Sequence, residues 1–92
     1  MNNLLKPYRE KIDALDDKIV DLLAERIGII HEVAEVKGAN DIPAVLPDRV
    51  NEVIDRCSAR ALGKKIDSDF VRRLYTDIVQ FSCNLESRLM KK

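Results

Sequence analysis

Apolar residues recur at alternating intervals of three and four along the N-terminal part of the chain, and this pattern constrains the fold most strongly. The series comprises Leu5, Tyr8, Ile12, Leu15, Ile19, Leu22, Ile29, Val33 and Val36. Such spacing is typical of a helix that packs lengthwise along another helix. Pro7 lies near the start, where helices tolerate proline. We therefore predict one long N-terminal helix from about Leu4 to Val36 or slightly beyond.

Helix-breaking residues divide the rest of the chain into two shorter helices. The breakers are Gly38, Asn40, Pro43 and Gly63. They place a loop at residues 38–46, a second helix at about 47–62 and a third helix at about 68–90. Asp67 or Ser68 is positioned to cap the third helix. The sequence therefore predicts an all-α, three-helix chain that forms a single domain over residues 1–92.

The second and third helices each carry an apolar face. On the second helix it comprises Val50, Val53, Ile54, Cys57 and Ala61, and on the third Val71, Leu74, Ile78, Phe81 and Leu85. A more polar line, Tyr75, Val79, Ser82 and Glu86, runs beside the second of these faces. In an ordinary bundle this line would be exposed to solvent at the edge of the helix. If it faces Arg26 and Lys37 instead, it would complete a polar pocket inside the bundle.

The predicted first helix is too long for the two shorter helices to cover. A helix of about 33 residues is about 50 Å long, whereas a compact chain of this size has a radius of gyration of about 12 Å. Part of the apolar series therefore needs a partner, and a second copy of the chain is the simplest one. We expect a homodimer.

Charge and composition argue against several classes of protein. Lys plus Arg and Asp plus Glu are both 16, whereas a general nucleic-acid binder usually carries excess positive charge. The chain has no run of 18 apolar residues, and its start lacks the apolar segment of a signal peptide. Cys57 and Cys83 form no metal or redox motif and are expected to be small buried hydrophobes. We expect a cytoplasmic protein that binds neither nucleic acid nor membranes.

One position of the apolar series carries a charge. The spacing after Ile19 and Leu22 predicts an apolar residue at Arg26, and a buried guanidinium is costly unless an anion meets it. Lys37 follows 11 residues later on nearly the same face, about 16 Å along the axis. Two interpretations stay open: internal ion pairs, or a buried site for a small anion. Taken alone, Lys37 is typical of a solvated helix end.

Arg9 has a different relation to these cations. It lies 17 residues before Arg26, which in a straight helix is about 25 Å away and rotated by about 100°. The two residues of one chain therefore cannot hold the same small molecule. They can do so if Arg9 comes from the partner chain of an antiparallel dimer. Taken alone, Arg9 is an ordinary exposed arginine.

The order of these residues resembles the all-helical chorismate mutases. The matching stretches are Arg9–Asp16, Leu22–Arg26, Val36–Lys37, Pro47–Arg49, and the last helix with Ser82 and Glu86. The resemblance covers nearly the whole chain and implies an intertwined homodimer of three-helix chains with two shared active sites. It also implies rearrangement of chorismate to prephenate, a shikimate-pathway step toward aromatic amino acids, without cofactor or metal.

The resemblance implies roles for four residues in that rearrangement. Arg9 would reach into the neighbouring site and bind one substrate carboxylate. Arg26 would bind the other carboxylate and approach the ether oxygen. Lys37 would donate to a carboxylate and to the same ether oxygen, and Glu86 would donate a second hydrogen bond to it. Such a site holds the substrate in its reactive shape and stabilises growing negative charge.

The rim of the implied site includes two departures from the best-known bacterial pattern. Arg49 would lie at the rim near the substrate ring, and Ser82 would line the site. Val50 stands where a carboxylate often holds the ring hydroxyl. Glu86 stands where a glutamine is common, so it must be protonated to donate a hydrogen bond. We therefore expect activity to fall as pH rises.

Two related activities and one non-enzymatic function are alternatives. Isochorismate pyruvate lyases share a loop pattern like Ile42–Ala44 and Pro47–Val50, and 4-amino-4-deoxychorismate mutases are expected to share Cys83 and Glu86. All three reactions are pericyclic, so the cations do not separate them; chorismate is favoured as the commonest substrate in the family. An inactive dimerisation or regulatory module would instead pair the cations with internal carboxylates.

Overall fold

The computed structural model describes residues 3–91 and contains three α-helices within that range. They are α1 at Lys6–Ala39, α2 at Pro47–Gly63 and α3 at Ser68–Met90. No strand occurs within these residues, so the predicted all-α class with three helices is confirmed. None of the three helices combines the length and apolar character needed to cross a membrane.

Local sequence explains where the helices begin. Pro7 and Pro47 lie in the first turns of α1 and α2, where the missing amide proton costs no helical hydrogen bond. Asp67 caps α3, as predicted. Its carboxylate accepts hydrogen bonds from the backbone amides of Asp69 at 2.9 Å and Phe70 at 3.2 Å. These bonds satisfy two amides that the first turn of a helix leaves without partners.

The third helix organises the packing of the chain. α3 packs against both α1 and α2, whereas within residues 3–91 α1 and α2 do not pack against each other. The buried apolar residues form a cluster between α2 and α3 made of Val53, Ile54, Cys57 and Val79. The predicted apolar face of α2 is confirmed, because its members are buried except for Val50, which is half-buried.

The predicted core face of α3 is wrong in part. Leu74 and Phe81 are 43% and 50% exposed, while the buried residues of α3 are Val79, Ser82 and Glu86. The reason is that α3 contacts a helix on each side, and the face turned toward both is the more polar line. The line that would be a solvent edge in an ordinary bundle therefore faces the interior.

The N-terminal half of α1 lies uncovered along the chain. Its apolar residues are all more than half exposed: Tyr8, Ile12, Leu15, Ile19 and Leu22. Of the α1 residues, Ala34 alone is buried. The radius of gyration is 17.0 Å, against about 12 Å for a compact chain of this length. The apolar series that dominates the sequence is therefore largely a surface of the single chain.

We predict that Asp67→Ala lowers the free energy of unfolding by about 1 kcal/mol, because two amides at the start of α3 lose their acceptor. Urea denaturation followed by circular dichroism measures this change. Asp67→Ser is the matched control and should stay near the parent chain, since serine caps helices about as well as aspartate. Equal destabilisation by both variants would contradict the capping role.

Candidate active site

A cavity of about 410 Å³ lies where the second half of α1, the loop after it, the start of α2 and the end of α3 meet. Its charged and polar lining residues are Arg26, Lys37, Arg49, Ser82, Cys83 and Glu86. Most of the remaining wall is aliphatic, from isoleucine, valine and leucine side chains. This volume is in the range that holds small molecules, and the lining has three cations against one carboxylate.

Arg26 reaches from α1 to α3. Its Nη1 donates a hydrogen bond to the hydroxyl of Ser82 at 2.5 Å, and Ser82 donates its own proton to the Ile78 carbonyl at 3.0 Å. Within residues 3–91, no carboxylate oxygen lies within 4.0 Å of the Arg26 guanidinium. The internal ion pair considered for this residue is therefore not formed among the described residues.

The positive charge of Lys37, unlike that of Arg26, is compensated by a carboxylate. Its Nζ lies 2.7 Å from Oε1 of Glu86 and donates a hydrogen bond to the Ala44 carbonyl at 2.9 Å. Both charged side chains are well buried, with 14% and 6% exposed. Oε1 is buried, and no hydrogen-bond donor other than this ammonium group reaches it among the described residues. The internal ion pair considered in the sequence analysis is thus present at Lys37.

Arg49 and Val50 occupy the α2 side of the cavity. Arg49 pairs with Glu52 one turn along the same helix, and both side chains are more than half exposed. Such exposed pairs contribute little free energy, so Arg49 can turn toward a ligand at low cost. Val50 is half-buried and presents only methyl groups to the cavity.

The two cysteines differ in their surroundings. Cys57 is buried in the core cluster, as predicted, whereas Cys83 is half-buried and lines the cavity. Burial, and next the negative charge of Glu86, raise the pKa of the Cys83 thiol; Lys37 and Arg26 oppose this. The thiol is therefore protonated at neutral pH.

The single chain brings together all but one of the residues singled out in the sequence. The cavity holds Arg26, Lys37, Arg49, Val50, Ser82 and Glu86. Arg9 is exposed near the start of α1 and does not line it. Cys83 was expected to be a small buried hydrophobe and instead lines the cavity, as its spacing of three from Glu86 on α3 indicated. The contact of Lys37 with the Ala44 carbonyl was not predicted, because residue types do not indicate which backbone oxygens face a cavity.

Comparison with known proteins agrees with this geometry. The sequence profile of the family described as chorismate mutase type II matches residues 8–87. A 4-amino-4-deoxychorismate mutase from Streptomyces venezuelae is 31% identical over 90 residues, covering 98% of this chain and 87% of that protein. The chorismate mutase of Methanocaldococcus jannaschii is 27% identical over 88 residues, covering 96% and 89%.

This chain is also similar to one part of a longer, bifunctional protein. The bifunctional chorismate mutase/prephenate dehydratase of Escherichia coli is 31% identical over 90 residues, which is 98% of this chain but 23% of that protein. The profile match and the near-complete overlap with the Streptomyces venezuelae protein lead to one conclusion. This chain belongs to the chorismate mutase type II family.

Proposed function

We propose that this protein is a chorismate mutase, an isomerase that converts chorismate to prephenate by a Claisen rearrangement. The observation that supports this most is a guanidinium, that of Arg26, with no acid partner among residues 3–91, in the wall of a cavity that also holds Lys37. A dianionic ring such as chorismate supplies the missing negative charge. The reaction has no need of a nucleophile, a general base or a cofactor.

The proposed mechanism uses charge to bind the substrate and to stabilise its transition state. As the carbon–oxygen bond lengthens, negative charge grows on the ether oxygen, and donors already in place stabilise it. Arg26 binds a carboxylate and approaches that oxygen. Lys37 has three ammonium protons; with Ala44 and Glu86 as neighbours, one remains for the substrate. Glu86, once protonated, donates a second hydrogen bond to the ether oxygen.

The remaining cavity residues shape the ring pocket. Arg49 binds at the rim, and Ser82 and Val50 line the wall beside the substrate. Because Val50 offers no acceptor, a ring hydroxyl is held less specifically than it would be by a carboxylate. The likeness to the Streptomyces venezuelae protein makes 4-amino-4-deoxychorismate the second candidate substrate.

We further propose an intertwined homodimer in which Arg9 enters the cavity of the other chain. The exposed apolar residues on the N-terminal half of α1 support this, because a second chain would bury them. The 92 residues then act as one mutase domain that works in the cytoplasm and uses neither nucleic acid nor membrane. The alternative of an inactive dimerisation or regulatory module predicts no turnover of any cyclic dicarboxylate.

Separate incubations with chorismate, isochorismate and 4-amino-4-deoxychorismate test the proposed function directly. We expect prephenate from chorismate. Salicylate plus pyruvate would identify a lyase instead, and the rearranged amino product would identify the amino analogue as the substrate. No product from any of the three would contradict the proposal and favour the inactive module.

Replacing Arg26 by glutamine should lower kcat/KM by about 10²–10³-fold, because a donor to the developing charge is lost. The unfolding free energy should not fall, since the guanidinium has no acid partner in the described part of the chain. Steady-state kinetics and urea denaturation measure the two effects. Arg73→Ala, at an exposed arginine of α3 outside the cavity, is the control and should change neither.

The rate should fall as pH rises, because Glu86 can donate to the ether oxygen only in its protonated form. Glu86→Gln donates at every pH, so its profile should be flat and its rate at alkaline pH should exceed that of the parent. A pH–rate profile of kcat for both proteins, at saturating substrate, measures this. A parent profile already flat from acid to alkaline pH would contradict the donor role of Glu86.

Mixing two inactive variants tests whether Arg9 acts across the dimer. Chains carrying Arg9→Ala and Arg26→Ala, refolded together in equal amounts, should recover about a quarter of parental activity. Half of the dimers are then mixed, and each mixed dimer has one intact site of two. Gel filtration should show about twice the 10.5 kDa chain mass. Failure to recover activity, with dimers present, would mean that Arg9 serves its own chain or none.

A further inference from the structure

We infer that two arginines on α2 form ion pairs with two aspartates on α1 of the partner chain, and that these pairs fix the register at which Arg9 reaches the cavity. The basic row is Arg56 and Arg60, and the acidic row is Asp13 and Asp16. The inference rests on the homodimer of the proposed function and names the charges that align its two chains.

The three helices lie side by side in a single layer. The chain extends over 58 × 26 × 15 Å, so the layer is little thicker than one helix, whose diameter is about 10–12 Å. α3 is the middle helix, because it packs against α1 and α2 while these two do not pack against each other within residues 3–91. α1 and α2 therefore form the two sides of a groove above α3, and the cavity lies in that groove.

The helix directions determine how a second chain would run in the groove. α1 and α3 run parallel, because Arg26 contacts Ser82 and, further along both helices, Lys37 contacts Glu86. The short connection at residues 64–67 makes α2 antiparallel to α3. In the proposed dimer α1 of the partner chain is antiparallel to α1 of this chain, so it runs parallel to α2.

The basic row continues the α2 side of the cavity. Arg49 and Val53 line the cavity, and Arg56 and Arg60 follow at intervals of three and four residues, which keep them on the same side of the helix. Both arginines of the row are exposed, and neither forms an ion pair with another residue of the described part of the chain. A partner with acids at the same spacing would compensate both charges.

The acids of α2 that are closest in sequence to the basic row are already engaged. Glu52 pairs with Arg49, and Asp55 pairs with Arg72 of α3. The negative charge that the basic row lacks therefore has to come from outside α2.

The acidic row lies on the flank of α1 that carries Arg9. Asp13 and Asp16 follow Arg9 at intervals of four and three residues, and both are exposed. The opposite flank of the helix carries Lys11 and Lys18 instead. When Arg9 turns toward the cavity of the other chain, the two acids turn to the same side and the two lysines turn away from it.

The two rows match in position when Arg9 of the partner chain lies beside Val53. Along the helix axis, the two acids lie about 6 Å and about 10 Å beyond Arg9. The two arginines lie about 4.5 Å and about 10 Å beyond Val53 in the same direction. A slip of one helical turn along α2 would instead place Arg9 beside Arg56, where like charges repel.

The ion pairs are expected to select the alignment of the chains more than to hold them together. Exposed ion pairs contribute little to stability, whereas complementary charges across an interface favour one arrangement and like charges exclude others. The apolar series of α1 supplies most of the surface that the proposed dimer buries. The two rows set the axial position of that surface, and with it the position of Arg9.

Reversing the charge of each row in a separate chain tests the pairing. One chain carries Arg56→Glu and Arg60→Glu, and the other carries Asp13→Lys and Asp16→Lys. In either homodimer like charges face each other at both contacts, whereas in the mixed dimer one contact is native and the other has both signs exchanged. After refolding in equal amounts, native mass spectrometry should find about nine-tenths of the dimers mixed, against about half for random pairing.

The matched controls reverse charges outside the two rows. Chains carrying Arg73→Glu and Asp21→Lys, at exposed positions of α3 and α1, should pair at random when they are refolded together. Random pairing of the row-reversed chains as well would overturn the inference.

A chain with all four row substitutions covers the case in which a row-reversed chain does not fold alone. It restores opposite charges at both contacts, so its dimer Kd should lie within about threefold of the parent value. Analytical ultracentrifugation measures both constants. A four-substitution chain that folds but stays monomeric at concentrations where the parent is dimeric would overturn the inference.

Dimer composition is measured without substrate, which separates this inference from the proposed reaction. A parent chain that converts none of the candidate substrates, but whose row-reversed variants select each other, supports the charge pairing while the proposed reaction fails. An active, dimeric parent whose variants pair at random overturns the charge pairing alone. A parent that is monomeric in solution overturns the inference together with the proposed dimer.

Discussion

A cation among aliphatic side chains costs free energy unless an anion or hydrogen bonds compensate it, and α1 carries two such cations in its second half. The fold compensates them unequally. Lys37 has the carboxylate of Glu86 and the carbonyl of Ala44, whereas Arg26 has only the neutral hydroxyl of Ser82 among the contacts described above. The uncompensated charge is therefore concentrated at Arg26, in the wall of the cavity. In the proposed function, a carboxylate of the substrate supplies the negative charge that Arg26 lacks.

This imbalance connects the sequence to the chemistry. The apolar series runs along α1, and the charge at Arg26 interrupts it at the point where the cavity begins. A fold selected for stability alone would have an aliphatic residue or an acid partner there. In the proposed reaction this uncompensated charge stabilises the negative charge that develops on the ether oxygen. The same arginine that lowers the stability of the fold therefore raises the rate of the reaction.

Much of the architecture was predictable because it depends on local sequence. Prolines and the Asp67 cap mark helix starts, and the apolar face of α2 follows from one clear period. The inward face of α3 was not predictable, because the line through Phe81 is the more apolar one, yet the line through Val79 is buried. Which line turns inward depends on α1 and α2 packing on either side. The contact from Lys37 to the Ala44 carbonyl depends on loop geometry, which residue types do not encode.

We propose that the cavity is a preformed site for a doubly charged ring that develops negative charge at its ether oxygen. Calorimetric titration with a bicyclic dicarboxylate ether that mimics the transition state tests it most directly. We expect saturable binding of one molecule per chain, and loss of most of that affinity when Arg26 is replaced by alanine. A folded protein that gives no binding heat at several temperatures, or equal affinity with and without Arg26, would contradict it.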